Sequence, residues 1–424
     1  MRVIICGAGI IGVTAAYELS RKGFDVIVID RRDGPARETS AGNAGVIAPG
    51  YVTPWAAPGM PGKALKYLGQ PAAPIIFRPR ASFAQWRWII RWLKNCNAAS
   101  YRVNKPRSQR VAFYARERLH QARAALGVDY DASQGYLQLF RTAADQALAA
   151  PAIAILREAG IAHQLLPPDM CLAIEPGLIA RDAPLHSGLF LPDDEAGDCA
   201  LFAERMTAHL RDEGVMFRFD AAIESIQVRN GRAAGVAVRE RSGLKETLDA
   251  DAVLLAAGVD SVALARPLGI DLPLYPVKGY STTLRVDQEA FAPKAAMMDE
   301  AYKTAITRFG DRVRIAGTAE LSDDDAATLR RTPCDTLLKI ARDWFPRGVA
   351  IPMRPSFWVG RRPMTPDGPP ILGPTPVAGL FLNLGHGSSG WAMSLGSAKV
   401  LADIIAGDAP EIDLEGLTLA RYGA

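Results

Sequence analysis

An α/β fold is predicted by three stretches of this 424-residue sequence. "MRVIICGAGIIGVTAAYELSRKGFDVIVID" (1–30) reads as strand, glycine turn, helix and strand. "ADAVLLAAGVDS" (250–261) is a buried strand running into a glycine, and "GLFLNLGHGSSGWAMSLGSAKVLADIIAG" (379–407) is strand, glycine loop and helix. Apolar strands that each feed a glycine turn mark a sheet flanked by helices. At roughly 150 residues per domain, the chain has room for two or three.

The opening unit carries a mechanism in its spacing. Val3 to Cys6 form the strand, Gly7 permits a tight turn, Gly9 lets the backbone approach a pyrophosphate, and Gly12 lets helix and strand pack closely. The helix, running to about Arg21, turns its free N–H groups and positive dipole end toward that site. Asp30 ends the second strand, 23 residues after Gly7, where a carboxylate accepts from ribose hydroxyls. These features describe a Rossmann-like dinucleotide site. Arg31 and Arg32 would suit a 2′-phosphate, but Asp30 would repel one, which disfavours NADP.

Later segments choose between NAD and FAD. "ETSAGNAGVIAPG" (38–50) offers small residues for close approach to a flat ring, with Ser40 and Asn43 as hydrogen-bonding groups. "GVMFRFDAAIESIQVRNGRAAGVAV" (214–238) alternates like hairpin strands around a turn at Asn230-Gly231. The loop and helix start within 379–407, closed by Gly407, can aim amides at a developing negative charge. Reduction of a flavin places such a charge along its N1 to C2-carbonyl edge, whereas NAD needs no second anion site. FAD is therefore the expected cofactor.

Composition narrows the class further. With 49% hydrophobic and 22% charged residues the chain reads as a soluble globule, and it has no apolar run of the 18 or more residues that a spanning helix needs. The N-terminal strand runs straight into glycines and is no signal peptide. Five widely spaced cysteines without C-x-x-C pairs argue for reduced thiols in a cytoplasmic protein, and the five histidines form no metal cluster, so no metal is expected. Between Thr39 and Arg116 there is no Asp or Glu against twelve Lys or Arg. Within it, "FAQWRWIIRWLKN" (83–95) reads as a helix with Phe83, Trp86, Ile90 and Leu93 on one face, Arg87, Arg91 and Lys94 beside it, and Trp88 and Trp92 further round. Two readings stay open: an amphipathic helix packing its tryptophans inside, or a helix docking on a membrane or partner. No recognised motif accompanies the charge to suggest nucleic acid.

Taken together, the chain resembles the glycine-oxidase and D-amino-acid-dehydrogenase group of FAD-dependent amino-acid oxidoreductases, the DAO family, over essentially its whole length. The matching stretches are "GAGIIGVTAAYELSRKGFDVIVID", "ETSAGNAGVIAPGYVTPWAAPG", "YPVKGYS" (275–281), "VGRRPMTPDGPPILG" (359–373) and "LGHGSSGWAM" (384–393), with the bacterial D-amino-acid dehydrogenases as the nearest branch. The resemblance implies an FAD-binding domain from residues 1–60, 190–275 and 356–424, interleaved with a substrate domain of residues 61–189 and 276–355. It implies FAD contacts from Gly7, Gly9, Ile11, Gly12, Asp30, Arg31, Thr39, Ser40, Asn43, Ala44, Gly45, Val46, Ile223, Ala257, Gly258, Gly385, Gly387, Ser388, Ser389, Gly390 and Trp391. Relatives that tether FAD covalently use a cysteine just before the position of Asp367; this sequence has none after Cys334, so its FAD is expected to be non-covalent. The same resemblance implies electron transfer to a quinone or other non-oxygen acceptor, from a cytoplasmic protein either free or peripheral on the inner face of the cell membrane.

Oxidising an amino acid at its α-carbon mainly requires holding the C–H bond over the flavin with the amine neutral. A guanidinium fork matches the substrate carboxylate, and charged hydrogen bonds of this kind contribute roughly 1.5–3 kcal/mol. Aligned with related oxidases, Arg362 takes that role, while Arg361 reads as a solvent ion pair. His386 lies in the loop over the flavin, as polar lining or as a general base. Tyr51 and Tyr280 either cap the substrate side or pack between domains. Close relatives carry Thr-Leu where this chain has Ser388-Ser389, which makes a D-proline or hydroxyproline type substrate as plausible as D-alanine. The rivals are an oxygen-using oxidase of glycine or sarcosine, and a non-catalytic FAD subunit of an electron-transfer complex.

Overall fold

The computed structural model describes residues 1–66, 73–322 and 328–423. A six-stranded sheet holds the nucleotide end, in the order Ile371–Pro374, Leu380–Leu384, Ala252–Leu255, Arg2–Cys6, Asp25–Ile29, Met216–Arg218. All neighbours are parallel except the first pair, and the central strands are apolar on both faces because both faces are covered. One face packs on the helices Ile10–Arg21, Ala98–Leu126, Cys199–Asp212 and Gly390–Ala406 through residues such as Val13, Val111, Phe202 and Leu401. The other packs on a three-stranded sheet through Ile226, Val236 and Val238. The outer hairpin of that sheet turns at Asn230 (φ 53°) and Gly231 (φ 74°), two left-handed residues as a tight hairpin requires.

A larger mixed sheet of eleven strands makes the second layer, three of them paired at its sides off the main run of eight. Tyr275–Val286, Arg312–Leu321 and Phe357–Met364 are antiparallel neighbours within it. Helix Arg331–Trp344 covers one face, burying Leu337, Ile340, Ala341 and Trp344 against Tyr280, Leu284, Val313 and Ile315. Helix Phe83–Asn95 covers part of the opposite face, where Trp88 and Trp92 pack on Tyr275 and Val277.

The sheets cross the expected boundaries at several places, and Val46–Ile47 and Ser187–Ala196, which lie in or run into segments expected with the nucleotide domain, also pair into the large sheet. Strand Phe357–Met364 belongs to the large sheet, although 356–424 was expected with the nucleotide domain. Helix Ala98–Leu126 packs on the nucleotide-end helices, although 61–189 was expected with the other domain.

Candidate active site

At the mouth of the six-stranded sheet lies a cavity of about 410 Å³. Two helix N-termini meet there, since Gly9 and Ile10 line it from one helix and Gly390 and Trp391 from the other. Gly7 turns with φ 106°, and a Cβ on Gly12 would stand 1.8 Å from the Gly7 carbonyl oxygen, so neither tolerates a side chain. Asp30 accepts from the Ala8 amide at 2.7 Å and from the Arg32 amide at 2.8 Å. Burial raises its pKa while those two amides pull it down. The Ser40 hydroxyl accepts from the Ile10 amide at 3.0 Å, tying the following loop to the helix start. A glycine cradle beneath a helix start, with a carboxylate at the far strand end, fits the pyrophosphate and ribose of FAD.

Of the expected cofactor contacts, Gly7, Gly9, Ile11, Asp30, Arg31, Thr39, Ser40, Asn43, Ile223, Ala257, Gly258, Gly385, Gly387, Gly390 and Trp391 line the cavity, as does His386. Gly12 stands behind the turn and acts through packing. Ala44, Gly45 and Val46 do not line the cavity, and glycines of the 38–50 stretch also have a packing reason. A Cβ on Gly42 would meet Trp358 at 2.1 Å and one on Gly45 would meet Phe309 at 2.3 Å, so the loop clears side chains of the large sheet. Val46 enters a short strand against Ala196. Arg314 fastens the same loop by donating to the Ala41 and Asn43 carbonyls. Ser388 is exposed and Ser389 half-buried at the start of the C-terminal helix, and neither lines the cavity.

Three lining residues went unread in the sequence. Asp260 accepts from both Arg31 and Arg361, and Glu38 accepts from Arg31 and Arg32, so the cavity rim is a paired network. Asn383 lines the cavity with its amide buried and without a partner among the described residues. The strand ends that bring these groups together gave the only signal, a polar residue closing each apolar run.

The two neighbouring arginines of the 361–374 stretch sit in opposite circumstances. Arg361 is paired with Asp260 at 3.1 Å and its carbonyl accepts from the Thr39 hydroxyl at 2.9 Å. Arg362 points into the large sheet, where its guanidinium donates to the carbonyls of Thr318 (2.8 Å), Lys278 (3.3 Å) and Gly317 (3.5 Å). No carboxylate among the described residues pairs with it, and burial alone pushes its pKa down to about 10. It shares a sheet face with Val277 and Gly279, opposite the face covered by helix Arg331–Trp344, next to the loop that Arg314 fastens. Its neighbours Arg361 and Pro363 line the cavity.

His386 is 3% exposed; burial pushes its pKa down to about 3, which leaves the ring neutral. His386 Nε2 lies 3.1 Å from the Ser397 hydroxyl, whose oxygen is also within hydrogen-bond distance of the Met393 and Ser394 carbonyls.

Neither tyrosine lines the cavity. Tyr280 is buried on the sheet face under helix Arg331–Trp344, its hydroxyl donating to Glu320. Strand parity explains why it cannot cap the substrate side: it faces away from Gly279 and Arg362. Tyr51 is half-buried against Tyr136, ring centroids 5.3 Å apart, with Lys303 over its face.

Two further features frame the site. The turn after Arg362 is held by Arg421, which donates to Asp367 at 2.8 Å and to the Pro369 and Pro370 carbonyls, while Tyr422 also donates to Asp367. Helix Phe83–Asn95 is apolar on two sides. Trp88, Ile89 and Trp92 are buried, with Trp88 donating to the Met364 carbonyl, whereas Phe83 (82% exposed), Trp86, Ile90 and Leu93 face outward. The inner tryptophans are thus core, as the first of the two sequence readings has it, and an apolar stripe remains outside. Among the described residues no helix is long and apolar enough to cross a membrane.

Comparison with known proteins agrees with this geometry. The family described as FAD dependent oxidoreductase (DAO) matches residues 2–404. A D-amino acid dehydrogenase of Cereibacter sphaeroides is 47% identical across 100% of this chain and 96% of its own. One of Bradyrhizobium diazoefficiens is 45% identical across 100% of this chain and 99% of its own. Among solved structures, glycine oxidase from Geobacillus kaustophilus superposes with a TM-score of 0.73 at 20% identity, covering 99% of both chains. L-proline dehydrogenase from P. horikoshii gives 0.72 at 16% identity, covering 100% of this chain and 97% of that one.

Proposed function

Because the chain belongs to the DAO family of FAD-dependent oxidoreductases, we propose that it is a dehydrogenase oxidising the α-carbon of D-amino or D-imino acids. The observation that carries the reading is Arg362, a half-buried guanidinium held by main-chain carbonyls without a carboxylate partner among the described residues, beside the cofactor cavity. A partly desolvated charge without a counterion is unfavourable, so a site of this kind is completed by an anionic group brought from outside. The carboxylate of an amino acid supplies it.

When bound, FAD supplies the two-electron acceptor for the α C–H bond. The two helix starts and the Gly7 turn would hold its diphosphate and ring edge, Asp30 its ribose, and Thr39, Ser40 and Gly385 to Gly387 its remaining surface. Arg362 binds the carboxylate and so fixes the α-carbon. His386, whose basicity burial lowers, contributes polar lining to the wall. Loss of a hydride equivalent from carbon and a proton from nitrogen forms the C=N bond. Water then converts an imine from a primary amine to a 2-oxo acid and ammonia. D-Alanine and D-proline are the first substrates to test.

The electrons pass on to a quinone, with the outward stripe of helix Phe83–Asn95 resting on an anionic bilayer. Burying an apolar side chain contributes roughly 1.5–3 kcal/mol, so four partly inserted residues give reversible binding. The acid-free run from Thr39 to Arg116 supplies the matching charge.

Anaerobic flavin bleaching across D- and L-amino acids, glycine and sarcosine tests the substrate: bleaching by D-alanine or D-proline is expected, and bleaching by L-enantiomers or glycine alone would overturn it. Rapid reoxidation by air, with none by a quinone analogue, would make the protein an oxidase. Co-sedimentation with phosphatidylglycerol vesicles, lost on Phe83→Ser with Ile90→Ser, tests the bilayer contact; equal pelleting of wild type and variant would refute it.

A further inference from the structure

A guanidinium has five N–H groups, one on Nε and two on each terminal nitrogen. In Arg362 both on Nη1 are spent on the Lys278 and Thr318 carbonyls, and one on Nη2 on the Gly317 carbonyl. Gly317 and Thr318 are consecutive, so their carbonyls occupy the edge between the two terminal nitrogens. The edge formed by Nε and Nη2 is left unspent, and two parallel N–H groups on one edge are what a carboxylate accepts bidentately.

The holding edge is built by an irregularity. Along the pairing of Tyr275–Val286 with Arg312–Leu321, Lys278 stands opposite Glu320 but Tyr280 opposite Gly317, so Thr318 and Ala319 both face Gly279. This is a β-bulge, and its Thr318 sits at φ 53°, a left-handed conformation that a β-branched residue rarely adopts. Strain of this kind persists only where surrounding structure enforces it, and it concentrates at functional sites. Opposite the bulge, a Cβ on Gly279 would lie 2.3 Å from the Arg362 guanidinium carbon, so only glycine leaves the space that the side chain occupies.

We propose that the Gly317–Thr318 bulge and Gly279 are a positioning device that holds Arg362 by one edge and presents its Nε–Nη2 edge to the substrate carboxylate. The proposal rests on the reading of Arg362 as the carboxylate-binding residue and deepens it. Thr318 and Gly279 are positioning residues that touch no reacting atom; they decide the direction in which the charge points.

The test compares kcat/KM for D-alanine with that for D-alaninamide, or D-proline with D-prolinamide if those react faster, in the flavin-loaded protein. Gly279→Ala displaces the guanidinium and should lower the acid-over-amide preference by about tenfold, mainly through KM, while flavin content and dithionite reduction stay as in wild type. Thr318→Gly relieves the strain and loosens the bulge. It should be at least as heat-stable as wild type yet lose several-fold in the same preference, and it decides the matter if Gly279→Ala fails to fold. Arg362→Lys keeps the charge without the fork and should not restore the preference. If Arg362→Ala leaves the preference unchanged, the underlying reading of Arg362 falls. If Arg362→Ala abolishes it while Gly279→Ala and Thr318→Gly both keep it, the reading stands and the positioning proposal is overturned.

Discussion

The two ends of the cleft handle charge in opposite ways. At the nucleotide end every charged side chain has a partner: Asp30 takes two main-chain amides, Arg31 and Arg361 share Asp260, and Arg32 sits on Glu38. The diphosphate is left to helix starts and glycine amides, which carry partial charge without a counterion. At the sheet end Arg362 is held by backbone carbonyls among the described residues and keeps an edge open. A permanent cofactor suits a site whose own charges are already neutralised. A substrate that must come and go suits a charge that is complete only when occupied.

The comparison breaks first at Gly12. Gly12→Ala puts a Cβ 1.8 Å from the Gly7 oxygen, so the purified protein should lose its flavin, read as the ratio of 450 to 280 nm absorbance, and a fully loaded variant would show that the turn has slack. Next comes Arg362→Ala, expected to keep its flavin but lose roughly 10- to 150-fold in kcat/KM, the equivalent of 1.5–3 kcal/mol for a charged hydrogen bond.

Smaller effects sharpen the contrast. The pKa of His386 is lowered from an ordinary 6.5 to about 3, so the unfolded chain binds that proton more readily and the contribution of this residue is present above pH 6.5 and lost as pH falls toward 3. The difference in melting temperature between wild type and His386→Gln should therefore narrow as pH falls through that window, and a constant difference would mean that the ring is not held neutral. Arg361→Ala, at a rim ion pair open to water, should change kcat/KM by less than about threefold. A loss as large as that of Arg362→Ala would erase the distinction between the two neighbours.

The nucleotide end was legible because its logic is local. Gly7 to Asp30 lie within one supersecondary unit, and Asn230-Gly231 names its own turn. The glycine loop before helix Gly390–Ala406, whose Gly385 and Gly387 line the cavity, was legible for the same reason. The large sheet was less legible because it is covered on both faces. In such strands the period of two says which residues share a face but not which face meets the substrate, so Tyr280 was placed with the site although it belongs to the far side. The glycines at 42 and 45 were noticed, but their reason, Trp358 and Phe309, lies more than 260 residues on. Asp260 and the bulge at Thr318 depend on pairings between distant segments, which no short stretch encodes. On helix Phe83–Asn95 the residue faces were correct, and only tertiary packing could say that the stripe with Trp88 and Trp92 goes inward.

The clasp of Arg421 on the turn behind Arg362 bears on the order of events in synthesis. The first strand made, Arg2–Cys6, pairs early with Asp25–Ile29 but waits for its other neighbour at 252–255, and the turn supporting the arginine gains its Arg421 clasp only when residue 421 has been added. A nascent chain therefore holds its nucleotide fingerprint from the outset but cannot finish an amino-acid pocket while still growing. Interleaving thus acts as a timing device, because a redox centre that must not run half-built is completed only by nearly the whole chain.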